Sequence, residues 1–174
     1  MINDLESANF QFELTRIDEL LTAQGYQVQF IKASQEILLD MLIVDLPDPP
    51  NQTENRVIIS FIPLDSTKFP HLKLIQLHAS SALTLNAGTE TEVKSFLLNI
   101  NNGLALGSFA LGEDNQLYFR QVIPLEKAQI LDHEWFLSTF SLFLQMFHVF
   151  SPLVFDVNAG LKSQTEALQA AFGN

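Results

Sequence analysis

Four histidines are the residues of this chain best suited to acid–base or metal chemistry, and their spacing works against both. His71, His78, His133 and His148 form no His-x-x-x-His pair, which would set two imidazoles on one helix face. His71 and His78 lie seven residues apart, on opposite faces of an unbroken strand. No metal or other cofactor is expected. Asp132, His133 and Glu134 read as the first turn of a helix, where the dipole favours carboxylates. A general base at His133 is the lesser reading. Asp40 and Asp45 also fall on opposite faces of one strand pattern, so they make no carboxylate pair. Asp40 reads as a solvent-facing residue or as a gatekeeper against edge pairing. The chain has no cysteine and no Gly-x-Ser-x-Gly elbow, which removes the common activated nucleophiles. Gly103 and Gly107 are followed by no phosphate-binding lysine. No catalytic residue is assigned, and the protein is read as a non-enzyme.

The elements around these residues follow from periodicity. Leu5, Phe12, Ile17, Leu20 and Leu21 form an approximate helical stripe over 5–23, which Gly25 terminates. Tyr26–Ile31 alternates as a strand, and 37–46 reads as a longer strand broken by the proline-rich 47–53. Arg56–Leu64 and Leu72–Leu77 follow, the latter with a continuation through 83–85 after a bend. Thr89-Glu-Thr-Glu92 reads as a capping box for a helix whose buried face is Val93, Phe96, Leu97 and Ile100. A hairpin over 104–123 turns at 112–115 and stops at Pro124. A Phe-rich helix occupies 131–150, Ser151-Pro152 closes it, and a short tail helix spans 160–172. Helices interrupting antiparallel strands make an α+β domain, with the order α-β-β-β-α-β-β-α and three or four strands in its first run. The whole of 1–174 reads as one domain, with 152–174 as a C-terminal extension.

Composition restricts the partners. A chain of 174 residues, 47% of them hydrophobic, has a real core and buries about 70% of its unfolded surface. Only 17% are charged, against about 25% in a typical domain. Twenty acids against nine bases give a net charge of -11. That repels phosphate backbones and anionic membrane surfaces, so neither nucleic acid nor membrane is expected as a partner. The N-terminal residues lack the pattern of a signal peptide, and the apolar runs read as too short or interrupted for a membrane span. The expected compartment is the cytoplasm.

The fifteen Phe concentrate in the last long helix. Trp135, Phe136, Phe140, Phe143, Phe147 and Phe150 form a stripe too broad for one contact face. Part of it is expected in the core and part in a homodimer interface, where aromatic residues are enriched. Core alone is the competing expectation, and a ligand pocket the remainder.

The text Val93-Lys-Ser-Phe-Leu-Leu-Asn-Ile-Asn-Asn-Gly103, then Gly107-Ser-Phe-Ala-Leu111, then Asn115-Gln-Leu-Tyr-Phe-Arg120 resembles the YbjN-like family. The resemblance covers about residues 5–150. It implies the fold of the type III secretion chaperones, a homodimer without catalysis, and a chaperone-like, regulatory or sensory-transduction role. In that comparison Asn99, Asn101, Asn102 and Gly103 form a structural corner. Asn and Gly tolerate left-handed backbone, and Asn side chains bond to nearby main chain. The functional expectation is a non-catalytic, protein-binding adapter with a protein or peptide client. The alternative is a small-molecule sensor or divergent enzyme, whose pocket would draw on Arg120, His78 or His133.

Overall fold

The computed structural model describes residues 4–46, 55–81, 83–112 and 116–173. The prolyl segment 47–53 and the turn at 113–115 fall outside the described residues.

Among the described residues six strands form one antiparallel sheet. They are β1 (Gln27–Ile31), β2 (Met41–Asp45), β3 (Arg56–Ile62), β4 (Leu72–Ser81), β5 (Ser108–Leu111) and β6 (Leu117–Glu126). Their order across the sheet is β1-β2-β3-β4-β6-β5. The helices are α1 (Asp4–Ala23), α2 (Glu90–Gly103), α3 (His133–Asn158) and α4 (Gln164–Phe172). The protein is thus an α+β fold with an antiparallel sheet and flanking helices. The first run holds four strands, because β4 extends without a break to Ser81.

The ring contacts and ion pairs that join helices to the sheet all reach one face, the inner one. Phe10 of α1 stacks on Phe61 of β3 at 4.5 Å between centroids. Phe143 and Phe147 of α3 lie on Phe119 and Phe109 at 5.0 and 6.4 Å. Beneath them Leu42, Val44, Val57, Ile59, Ile75 and Leu77 have no exposed surface. α2 and α4 pack against α3 and against each other on the β5 side.

Several expected details change. The buried stripe of α1 is Phe10, Leu14, Ile17 and Leu21, while Phe12 is 59% exposed. A spacing of four, three and four keeps the first set on one face. The strand expected over 37–46 begins only at Met41. Asp40 is neither a free surface group nor a gatekeeper: its carboxylate accepts from the Ala33 amide and from Gln11 Nε2 at 2.7 and 2.9 Å, tying the β1–β2 connection to α1. Thr89 caps no amide with its hydroxyl; that hydroxyl donates to the Asn158 carbonyl at 2.9 Å. The capping box lies instead at Ser163 and Glu166, ahead of α4.

Prolines end neither element expected of them. Pro124 sits inside β6, beyond Arg120, where β5 no longer pairs with that strand. A strand with one free side tolerates the missing donor. Pro152 lies on the exposed side of α3, so the carbonyl left without its helical donor can face water. The helix runs on to Asn158 because Val154 and Val157 remain fully buried. Residues 152–158 are therefore part of the main fold. The tail beyond them packs on its own chain: Ala167 is fully buried, and the Phe172 ring covers Gly103 so closely that a Cβ there would lie 2.5 Å from Cζ.

Candidate functional site

The Phe-rich helix divides its surface differently from the expected core-and-interface split. Phe136, Phe140, Phe143, Phe147 and Phe150 are at most 5% exposed and belong to the chain's own core. They are not an interface: α3 crosses the inner face of the sheet and is flanked by other helices, so the rings fill the intervening layer. Trp135 is the exception among the six, 40% exposed, and it helps line a cavity of about 210 Å³ with Leu125, Gln129, Leu131 and Asp132.

Trp135 instead heads a second apolar line on the outward side of α3. Leu142 and Val149 follow it at seven-residue intervals and are 38% and 46% exposed. Half-buried Thr139 and Met146 fall between them and half-buried Leu153 follows, completing the four-three alternation of a coiled-coil seam. No Asp, Glu, Lys or Arg occurs from Trp135 to Phe155. By length and composition α3 is long and apolar enough to cross a membrane, which corrects the expectation that no segment is. Much of that apolar surface is the buried Phe stripe.

The outer face of the sheet is the second uncovered surface. Alternation along β4 leaves Leu72, Leu74, Gln76, His78 and Ser80 half-buried, between fully or nearly buried neighbours. Register places Gln29, Ile43, Ile58, His78, Arg120 and Ser108 in one row across all six strands. The next row is Ile31, Met41, Ser60, Gln76 and Val122. The left of this face is aliphatic and its right is polar.

His78 and Arg120 are direct cross-strand partners. The His78 ring stacks on Tyr118 at 5.0 Å, and its Nδ1 is buried without a hydrogen-bond partner. Burial first, and then the neighbouring Arg120 guanidinium, push the imidazole below its ordinary pKa. Arg120 donates from Nε to Gln76 Oε1 at 2.7 Å. Of the three residues considered for a pocket, the fold brings these two together and leaves His133 apart. His133 starts α3, where its Nε2 lies 2.7 Å from an Arg16 nitrogen. Among the described residues no group of three metal-ligating side chains occurs.

The Asn-rich corner has three different environments. Asn101 bonds both backbone groups of Phe109: its Nδ2 donates to the carbonyl and its Oδ1 accepts from the amide, each at 2.8 Å. The side chain thereby acts as one rung of a strand beside β5. Asn99 only reaches back to the Ser95 carbonyl of its own helix, and Asn102 is exposed. With Gly103 they border an open cavity of about 660 Å³ between α2 and α4, closed on the far side by Thr165, Leu168, Gln169 and Phe172. Gly107 has φ +71°, and a Cβ there would meet the Phe119 ring at 2.6 Å, so glycine is required on entry to β5.

A buried ion pair was missed. Lys73 belongs to the inner face of β4, 2% exposed, with Nζ 2.6 Å from Glu13 Oε1. The Gln129 carbonyl accepts a second bond from it. The one signal in the sequence is a lysine on the apolar parity of a strand, 60 residues from its partner.

No protein-family model matches the chain, and no curated protein sequence matches it. Among solved structures it is similar to YbjN from E. coli, a protein proposed as a transcription regulator. The two are 15% identical, with 85% of this chain and 93% of that chain covered and a TM-score of 0.41. At that distance nothing about function passes from one to the other.

Proposed function

We propose that the protein is a non-catalytic, protein-binding adapter that acts as a homodimer through the outward seam of α3. The observation that carries this reading is the line of Trp135, Leu142 and Val149, each at least 38% exposed on a stretch free of ionised side chains. Two copies that each carry a charge of -11 repel one another over most surfaces. Along this seam no carboxylate has to be brought against another. A helix packed on its own copy by a twofold axis makes a self-complementary contact, and alternating apolar side chains supply the knobs. The dimer leaves the outer face of the sheet free for a client.

Light scattering across a concentration series tests the seam. The expected mass is twice 19.6 kDa, and Leu142→Glu is expected to give the single-chain mass with an unchanged far-ultraviolet spectrum, its melting temperature lowered only by the lost association. Leu142 is already partly in water, so the substitution spares the core. A single-chain mass for the unsubstituted protein, or a dimer that survives Leu142→Glu, overturns the reading.

A further inference from the structure

We infer that the β4–β6 half of the outer sheet face docks an extended protein segment in which a carboxylate side chain alternates with apolar ones. This rests on the adapter reading above and names the chemistry of the client. Most of the chain's cations are neutralised within it. It has nine Lys and Arg in all. Arg56, Lys68, Lys73, Lys94, Lys127 and Lys162 are each in an ion pair with a carboxylate of the same chain. Arg16, which meets His133, Lys32, which is exposed just beyond β1, and Arg120 have no carboxylate partner among the described residues, and of these Arg120 alone stands within the sheet. Among the described residues its partner is a neutral amide, Gln76 Oε1. In a chain with twenty acids this leaves a guanidinium without a carboxylate partner among the described residues, on the strand beside the β5 edge of a half-buried face. The Gln76 bond uses Nε, fixing the plane of the group while the two terminal nitrogens remain available. That fork matches the two oxygens of a carboxylate.

The surroundings specify the rest of the ligand. His78, Tyr118 and Gln76 flank Arg120, and none carries a negative charge at neutral pH. Val122 lies two residues along β6 on the same face, and Ile58 pairs with His78 from β3. Extended chains place every second side chain on one side, about 7 Å apart. A segment running along β6 with its acid on Arg120 therefore sets an apolar side chain over Val122, in an acid-x-apolar pattern. Arg120 is exposed and His78 only half-buried on an open face, which suits an extended segment better than an enclosed small anion. One unpaired cation on this face, in a chain with a net charge of -11, does not suit nucleic acid.

The test is a random twelve-residue peptide display selection against the full chain, repeated on Arg120→Gln and on Leu142→Glu. The expected enriched peptides carry Asp or Glu two positions from an aliphatic or aromatic residue. Fluorescence anisotropy on the best of them is expected to show binding weakened about ten- to a hundredfold by Arg120→Gln, and equally by converting the peptide's acid to its amide. Melting of Arg120→Gln is expected to match the parent, since the side chain is exposed. Leu142→Glu is expected to bind as the parent does, so a failed seam and a failed docking face give different results. An empty selection, peptides without an acid, or equal binding to Arg120→Gln overturns the inference. So does loss of the dimer on Arg120→Gln alone, which would make a second copy the occupant.

Discussion

The two faces of this sheet come from alternate residues of the same strands, and they have opposite fates. On the inner face large side chains meet helices: Phe61 meets Phe10, Phe119 meets Phe143, and even a lysine is buried against Glu13. On the outer face Ile43, Ile58, Leu74 and Gln76 are covered only in part. The difference shows that aliphatic content alone does not decide burial. β3 is apolar on both parities, with Val57, Ile59 and Phe61 inward and Ile58 and Ile62 outward. A strand buried on both faces would have this pattern, yet this domain provides one layer of helices. The outer parity is thus only partly covered by the described residues.

The largest effect expected from this comparison separates the faces by stability. Phe143→Ala removes a fully buried ring and is expected to cost about 3–5 kcal/mol in urea unfolding. Val122→Ala, at a site 36% exposed, is expected to stay within about 0.5 kcal/mol. Equal losses would mean that the outer face is covered as thoroughly as the inner one, and the contrast would be gone.

Charge gives the next contrast. Lys73→Met leaves the Glu13 carboxylate buried without its cation, and Glu13 Oε2 already has no partner. The expected loss is about 3 kcal/mol or more, recovered in large part by adding Glu13→Gln, with a double-mutant cycle reading the coupling. Arg120→Gln on the outer face is expected to leave unfolding unchanged. A large loss at Arg120 would make it a structural cation like Lys73 and remove its availability to a partner.

What could be read in advance follows the same division. Alternation located β1 and β6, and the four buried residues of α2 were legible because a single amphipathic stripe has one solution. α3 was not soluble in that way. It is apolar nearly all round, so periodicity names no buried side, and aromatic enrichment suits a core as well as an interface. Only the sheet beneath it decides that Phe143 is inside and Leu142 outside. Pairings between distant segments were equally hidden. Lys73 finds Glu13, and Asp40 finds Gln11, only after the chain has folded. Thr89 had the local text of a cap, but the nearby Asn158 carbonyl took its hydroxyl, a tertiary partner that no local motif announces.

Asn101 offers a smaller effect. Asn101→Ala leaves the amide and carbonyl of Phe109 without their partners, at an expected cost of about 2 kcal/mol. Asn102→Ala, on an exposed side chain, is expected to cost almost nothing. Hydrogen exchange at the Phe109 amide checks the mechanism, since protection there is expected to fall in Asn101→Ala and not in Asn102→Ala.

The smallest effect is a pH dependence that reports directly on the outer face. His78 takes a proton less readily in the folded protein than in the unfolded chain, through burial and then through Arg120. Above the ordinary histidine range both states are neutral, and His78 contributes nothing to the slope. As pH falls below that range the unfolded chain binds the proton first, so stability declines until the pH passes below the folded value, where the loss levels off. Asp65 and Glu166, held below their ordinary pKa by Thr67 and Ser163, lose their contributions only in the more acidic carboxylate range. His148, lowered by burial alone, shares the His78 window. His78→Gln is therefore expected to flatten part of the decline between neutral and mildly acidic pH, and His148→Gln another part. Arg120→Gln is expected to narrow the His78 portion by raising its folded pKa toward the ordinary value. Melting temperatures from pH 8 to pH 5 read all three. If His78→Gln leaves the slope unchanged, the imidazole charges as easily in the fold as outside it. Burial and Arg120 would then not hold the proton off His78, and the outer face would be wetter at this point than its half-buried side chains imply.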